Sequence, residues 1–149
     1  MLAWFETTAL ALTVRDSLVL TALLSGVHLV GMTISVGAVL VMTLRLTGRA
    51  FAETPLHAAV VPASRGLAAG VMLSLTSGLL LVLPRASTAV ENSFFQNKML
   101  ALALAVAFQV VLFRRLSRSS GIVRGATGVA ATLLWGAVAV LGCLFTLVE

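Results

Sequence analysis

Four long runs of apolar residues decide what this chain can fold into. They cover roughly Ser17–Leu44, Gly66–Leu83, Asn97–Phe113 and Gly125–Val148. Each reaches or approaches the ~20 residues that carry a helix across a ~30 Å hydrocarbon core. Hydrocarbon offers the backbone no hydrogen-bond partner, so a spanning segment has to satisfy its own amides. The expected fold class is therefore all-α: an integral membrane four-helix bundle, a single domain over residues 1–149. The first run is longer than a span needs and must tilt or project from the membrane. Pro84 is expected to stop the second helix. Ser93-Phe94-Phe95-Gln96 has the spacing of a capping box for the third, with the two phenylalanines at the interface. The loop Thr47–Ser64, with Pro55 and Pro62, is the longest expected connection.

Composition agrees. The chain is 60% hydrophobic and 10% charged, with mean hydropathy +1.10, too apolar for a soluble domain of this size. The net charge of +5 and pI near 11.5 suggest nucleic acid at first sight. The arginines, however, sit in the connections, where topology explains them and no nucleic-acid partner is implied. Arg45, Arg49 and Arg65 lie between spans one and two, and Arg114, Arg115, Arg118 and Arg124 between spans three and four. Only Arg15, Arg85 and Lys98 fall on the other side, a split of seven to three. Read by the positive-inside rule, both termini lie outside the cytoplasm, and the expected location is the bacterial inner (cytoplasmic) membrane. Residues 1–16 lack the basic start of a signal peptide and read as a short interfacial helix anchored by Trp4 and Phe5. The single cysteine, Cys143, allows no intramolecular disulfide and reads as a small buried thiol of the last span.

Two stripes of small or polar residues mark helix faces. Gly66, Gly70, Ser74 and Gly78 recur every fourth residue in span two, a spacing that lets helix backbones approach closely. Thr21, Ser25, His28, Met32 and Ser35 share one face of span one and should point inward. His28 lies 17 residues from Arg45 and Lys98 lies 16 from Arg114, about 25 Å and about 24 Å above the cytoplasmic boundary at helical rise. A polar layer of His28, Lys98 and Thr76-Ser77-Gly78 can thus be drawn, and Gln109 shares a helical face with Lys98. His57, in the first cytoplasmic loop, is about a membrane thickness away, so one chain cannot bring both histidines to one metal or haem.

An ionisable group inside a span is a pointer to function, because hydrocarbon tolerates it only with a partner. Three readings of His28 are open. It is a structural histidine bonded across helices to Ser77 or a backbone carbonyl. Or it is the metal ligand of a b-type haem, with Lys98 or Met99 opposite or the sixth site open, in a pocket that includes Ser25, Met32 and Ser77. Or it handles protons or contacts a quinone, a reading weakened because no Asp or Glu lies inside a span. Copper on His28 and Met32 is chemically conceivable. Small size and the glycine stripe suggest a homo-oligomer, or a subunit beside a partner membrane protein.

Several short segments, in order, carry a resemblance: Trp4-Phe5-Glu6-Thr7-Thr8-Ala9, Val14-Arg15-Asp16-Ser17, His28-Leu29-Val30-Gly31, Gly37-Ala38-Val39-Leu40, Leu44-Arg45-Leu46-Thr47-Gly48, Ser77-Gly78-Leu79-Leu80 and Phe95-Gln96-Asn97-Lys98-Met99-Leu100. Together they resemble a family of small bacterial four-helix membrane proteins known only as a domain of unknown function. More distantly the chain is similar to HemJ-type protoporphyrinogen oxidases and CopD-like copper-resistance proteins. In the former, a histidine in the first span and a lysine opening the third correspond to His28 and Lys98. That resemblance implies haem b binding and a porphyrin-related oxidoreductase. The chain departs from the pattern in the residues flanking both positions, and it contains no tyrosine. The competing expectation is a non-catalytic accessory subunit in which His28 is structural.

Overall fold

The computed structural model describes residues 2–115 and 121–148, so Arg118, one of the basic residues used for orientation, lies outside the described residues. Every element in it is helical, and no strand occurs among the described residues. Seven α-helices follow in order: α1 Leu2–Glu6, α2 Ala9–Asp16, α3 Leu18–Leu46, α4 Leu56–Val82, α5 Ala86–Glu91, α6 Ser93–Arg115 and α7 Gly121–Val148, with a 3-10 turn at Leu83–Arg85 between α4 and α5. Four of them, α3, α4, α6 and α7, are long and apolar enough to cross a membrane. This is a multi-pass membrane protein.

The helix ends show which local signals act. Ser17 caps α3 by accepting the Leu20 amide at 3.2 Å. At the far end Gly48 takes φ +69°, and the Arg49 amide turns back onto the Leu44 carbonyl at 3.0 Å, a left-handed stop that suits a residue without Cβ. Arg45 then donates Nε to the Thr54 carbonyl at 2.8 Å, tying the connection to the helix it leaves. Helix α4 begins ten residues earlier than the hydrophobic run, at Leu56. Pro55 stands at its N-cap and Pro62 lies inside it. The connection is therefore only Thr47–Pro55: Pro55 precedes the helix and forfeits no bond, while Pro62, in the second turn, gives up one bond to the Ala58 carbonyl without ending the helix. His57 consequently sits, exposed, in the first turn of α4 and not in a loop. The capping box shifts by one residue. Asn92, not Ser93, caps α6, its Oδ1 accepting the Phe94 amide at 2.8 Å, while the Gln96 amide group reaches the Val90 carbonyl.

The N-terminal segment is two short helices broken at Thr7-Thr8, with Thr8 capping α2. Ala11 and Val14 are buried, as are Ala86 and Ala89 of α5. The segment thus packs on the turn between α4 and α6 instead of only lying at an interface. Glu6 fastens it, accepting the Ser87 amide at 2.8 Å and the Ser87 hydroxyl at 2.5 Å. Those two donors, the hydroxyl first, hold the Glu6 carboxyl below its ordinary range.

Among the long helices, close pairings run α4–α3–α7–α6, with α3 and α7 in the middle. The α3–α4 pair is built on absent side chains. A Cβ on Gly70 would stand 2.7 Å from the Gly31 carbonyl oxygen and 2.8 Å from the Ser35 nitrogen. A Cβ on Gly31 would meet the Gly70 oxygen and the Ser74 nitrogen, each at 2.8 Å. The α3–α7 contact uses a polar clasp. Thr43 donates to the Gly128 carbonyl at 2.7 Å and lies 2.8 Å from the Thr132 hydroxyl. An apolar core of Val39, Met42, Leu46, Leu67, Leu112 and Trp135, with its smaller neighbours, fills the arginine-rich end of all four helices. Towards the other end α3 and α7, running antiparallel from the Thr43–Gly128 clasp, leave a cavity between them.

Candidate functional site

His28 is placed by α4. Gly78 makes room for the ring: a Cβ there would lie 2.9 Å from Cε1 and 3.1 Å from Nδ1. The ring's Nδ1 is 2.8 Å from the Ser74 carbonyl oxygen. A carbonyl only accepts, so Nδ1 carries the proton and donates. The Ser77 hydroxyl stands 3.3 Å from the same nitrogen while donating its own proton to the Leu73 carbonyl at 2.6 Å. The Ser74 hydroxyl returns a bond to the His28 carbonyl at 3.2 Å. The sequence expectation of a bond to Ser77 or a backbone carbonyl is met by both groups at once. With Nδ1 engaged, Nε2 is left with the lone pair, and it makes no hydrogen bond among the described residues.

The half-buried ring forms one wall of a cavity of about 510 Å³. Leu29, Met32 and Val36 of α3 extend that wall, Ala139, Gly142 and Cys143 of α7 face it, and Lys98 of α6 closes one side. The level deduced from residue counting is therefore real: His28 and Lys98 share one chamber. Lys98 does not run out to solvent along its helix. Its side chain lies on α7 at Gly142, where an added Cβ would stand 3.2 Å from Nζ and 3.4 Å from Cε. Among the described residues it has no ion pair.

The other expected site residues divide. Met32 lines the cavity and also packs against the core. Ser77 is 2% exposed and stands behind the imidazole, where it positions the ring without reaching the chamber. Ser25 is not among the lining residues; its hydroxyl bonds the Thr21 carbonyl in its own helix at 2.9 Å. Thr76 faces outward and bonds the Met72 carbonyl. Met99 is 43% exposed, away from the chamber. Gln109 is buried in the core, its Nε2 3.9 Å from the Met42 sulfur, so a shared helical face with Lys98 does not bring it to the cavity. His57 precedes Ser77 by twenty residues along α4, about 30 Å of helix, which keeps the two histidines apart.

Cys143 is a correction. It was expected buried, but it is exposed and lines the cavity. Counting outward from Arg124 places it at roughly 28 Å, close to the level of His28, so the depth rule held the signal. Gly142 was missed for a different reason. Its role is to leave space for a side chain on another helix, and nothing within α7 marks that.

The donor set is narrow: one imidazole with an available Nε2, one amine, one thioether, one thiol and the Thr33 hydroxyl, which donates to the Leu29 carbonyl of its own helix at 2.9 Å, on otherwise apolar walls. No group of three or more His, Cys, Asp or Glu side chains able to hold a metal occurs among the described residues. The class that fold and site define is a multi-pass helical membrane protein with an intramembrane, histidine-walled cavity. No family model matches the chain, and no curated protein or solved structure matches it either.

Proposed function

We propose that this protein is a small membrane protein that binds a b-type haem or related tetrapyrrole within the four-helix bundle, with Nε2 of His28 as the iron ligand. One observation carries the reading. His28 donates Nδ1–H to a backbone carbonyl at the wall of an apolar cavity, the arrangement by which proteins fix the tautomer and raise the basicity of a metal-bound imidazole. At about 510 Å³ the chamber falls in the range of ~300–1,000 Å³ common for cofactor pockets. Its lining, mostly aliphatic with one imidazole and one amine, fits a flat apolar macrocycle. Met32 supplies van der Waals surface, Ser74 and Ser77 hold the ring, and Lys98 stands on the other helix pair. When bound, a haem supplies one-electron exchange. The surrounding residues exclude water and orient the imidazole. A porphyrin-related oxidoreductase is the activity that the distant resemblance suggests for such a pocket.

The test is a reduced-minus-oxidised visible spectrum with pyridine haemochrome on protein purified in mild detergent after expression with ample haem. The expected result is a b-type signal near one haem per chain that disappears in a folded His28→Ala protein. A signal unchanged in that variant removes His28 as ligand.

A second reading has its own observation. The reciprocal bonds between His28 and Ser74 by themselves brace α3 against α4. On that reading the protein is a non-catalytic accessory subunit that packs against a partner membrane protein or further copies of itself. A blank spectrum together with copurification of a defined membrane partner favours it. In both readings the termini face away from the cytoplasm of a bacterial inner membrane, lipid is the immediate solvent, and no nucleic acid is involved.

A further inference from the structure

We propose that Lys98 is an anion seat, and that the cavity takes an apolar ligand carrying a free carboxylate, which pairs with the Lys98 amine. For a tetrapyrrole as that ligand the proposal rests on the reading above; the carboxylate seat itself does not.

Lys98 sits inside a candidate span and is half-buried. A lysine near a helix end ordinarily runs its charged tip out to the headgroups. This one instead lays its aliphatic stem and Nζ against α7 at Gly142, where the missing Cβ makes the space. Groups of this kind inside a membrane pair with an opposite charge or face a wet cavity. No acidic residue lines the chamber, Lys98 has no ion pair among the described residues, and His28 turns its only N–H to Ser74. Of the chamber's side chains only the Cys143 thiol attracts the Lys98 amine electrostatically, and a thiol carries no fixed charge, so the fixed negative partner comes with the ligand. An amine binds a carboxylate directly as an ion pair, whereas it binds a metal only after losing its proton, so the acid group is the better match. The remaining surface is mostly apolar, including Met32, Val36 and Ala139, with the Thr33 hydroxyl turned back on its own helix, and it selects an apolar body. A porphyrin propionate and a fatty acid present the same chemistry, and the chamber lies open to lipid-borne ligands on its α3–α7 side, where Leu29 and Cys143 are exposed.

The experiment uses the full chain in detergent and three fluorescent probes: iron-free protoporphyrin IX, its dimethyl ester, and cis-parinaric acid. The free acid should bind at least ~10-fold more tightly than the ester. Lys98→Met should bring the acid down to the ester's affinity and leave the ester unchanged, while Lys98→Arg should restore most of the difference. A second readout is chemical. At a concentration where the free acid fills the chamber and the ester does not, labelling of Cys143 by a membrane-permeant maleimide should be slowed by the acid and little by the ester.

Equal affinity for acid and ester overturns the proposal, as does an acid preference that survives Lys98→Met. Binding of parinaric acid that depends on Lys98, alongside no absorption change with haem, supports the carboxylate seat and removes the tetrapyrrole. Binding of haem through His28, with no acid preference in any probe, removes the seat and keeps the tetrapyrrole.

Discussion

Replacing Gly70 by alanine tests the α3–α4 interface at its closest point. The new methyl would lie 2.7 Å from the Gly31 oxygen and 2.8 Å from the Ser35 nitrogen, both backbone atoms of α3. Ordinary contact begins near 3.4 Å, so the helices would have to separate by roughly 0.7 Å, a gap that forfeits a quarter to a half of the dispersion energy of each contact opened. Overpacking of this kind costs about 1–3 kcal/mol, partly offset by up to about 1 kcal/mol of better helix propensity. A net loss of about 1–2 kcal/mol corresponds to a fall of roughly 5- to 30-fold in the folding equilibrium. Gly66 on the same stripe is the internal control. A methyl there meets only the Ala38 Cβ, at 3.8 Å, so Gly66→Ala should be neutral or slightly stabilising. The assay is reversible unfolding in mixed micelles, titrating a denaturing detergent and following Trp135, which is 1% exposed in the folded protein. Equal effects of the two substitutions would refute the assignment of Gly70 to the crossing point and treat the stripe as uniform helix surface.

Three other outcomes follow from the same geometry. Gly78→Ala pushes a methyl into the imidazole edge and should weaken haem binding by about 10–100-fold with the helical circular dichroism unchanged, as read by haem titration. Thr43→Val removes the clasp onto Gly128 and Thr132 and should cost about 0.6–1.7 kcal/mol in the same micelle assay. The Glu6 carboxyl, held below its ordinary range by Ser87, stabilises the docked N-terminal segment above the ordinary carboxylate range. That stabilisation should be lost as pH falls through the lowered value. Trp4 fluorescence against pH should show the release, and Glu6→Gln should flatten the curve.

The helices were legible because hydrocarbon imposes one requirement on a whole segment, and hydropathy reports it residue by residue. The Gly66-Gly70-Ser74-Gly78 stripe and the shared level of His28 and Lys98 were legible too, since spacing and rise are local properties. Three things were not. The start of α4 at Leu56 was hidden by Pro55, His57 and Pro62, which read as a loop although Ala58–Val61 between them are apolar. The docking of Ala11 and Val14 on Ala86 and Ala89 joins segments whose own patterns carry no mark of each other. The placing of Cys143 on a cavity wall depends on α3 and α7 separating at one end, which no single helix records. Ser25 shares the face of His28, yet the face is wider than the cavity, so periodicity alone grouped residues that the packing divides.

The order in which the chamber's walls are made sets a condition on loading it. Its histidine belongs to α3, its amine to the start of α6, and its far wall to the last residues of α7. During synthesis α3 and α4 can zip together through Gly31 and Gly70 as soon as both are inserted, and that pairing already orients the imidazole. The enclosure, however, does not exist until α7 arrives. On the ligand-binding reading, a ligand captured earlier would meet a one-sided surface facing lipid, so a nascent protein stalled before α7 should carry an oriented His28 and hold nothing on it.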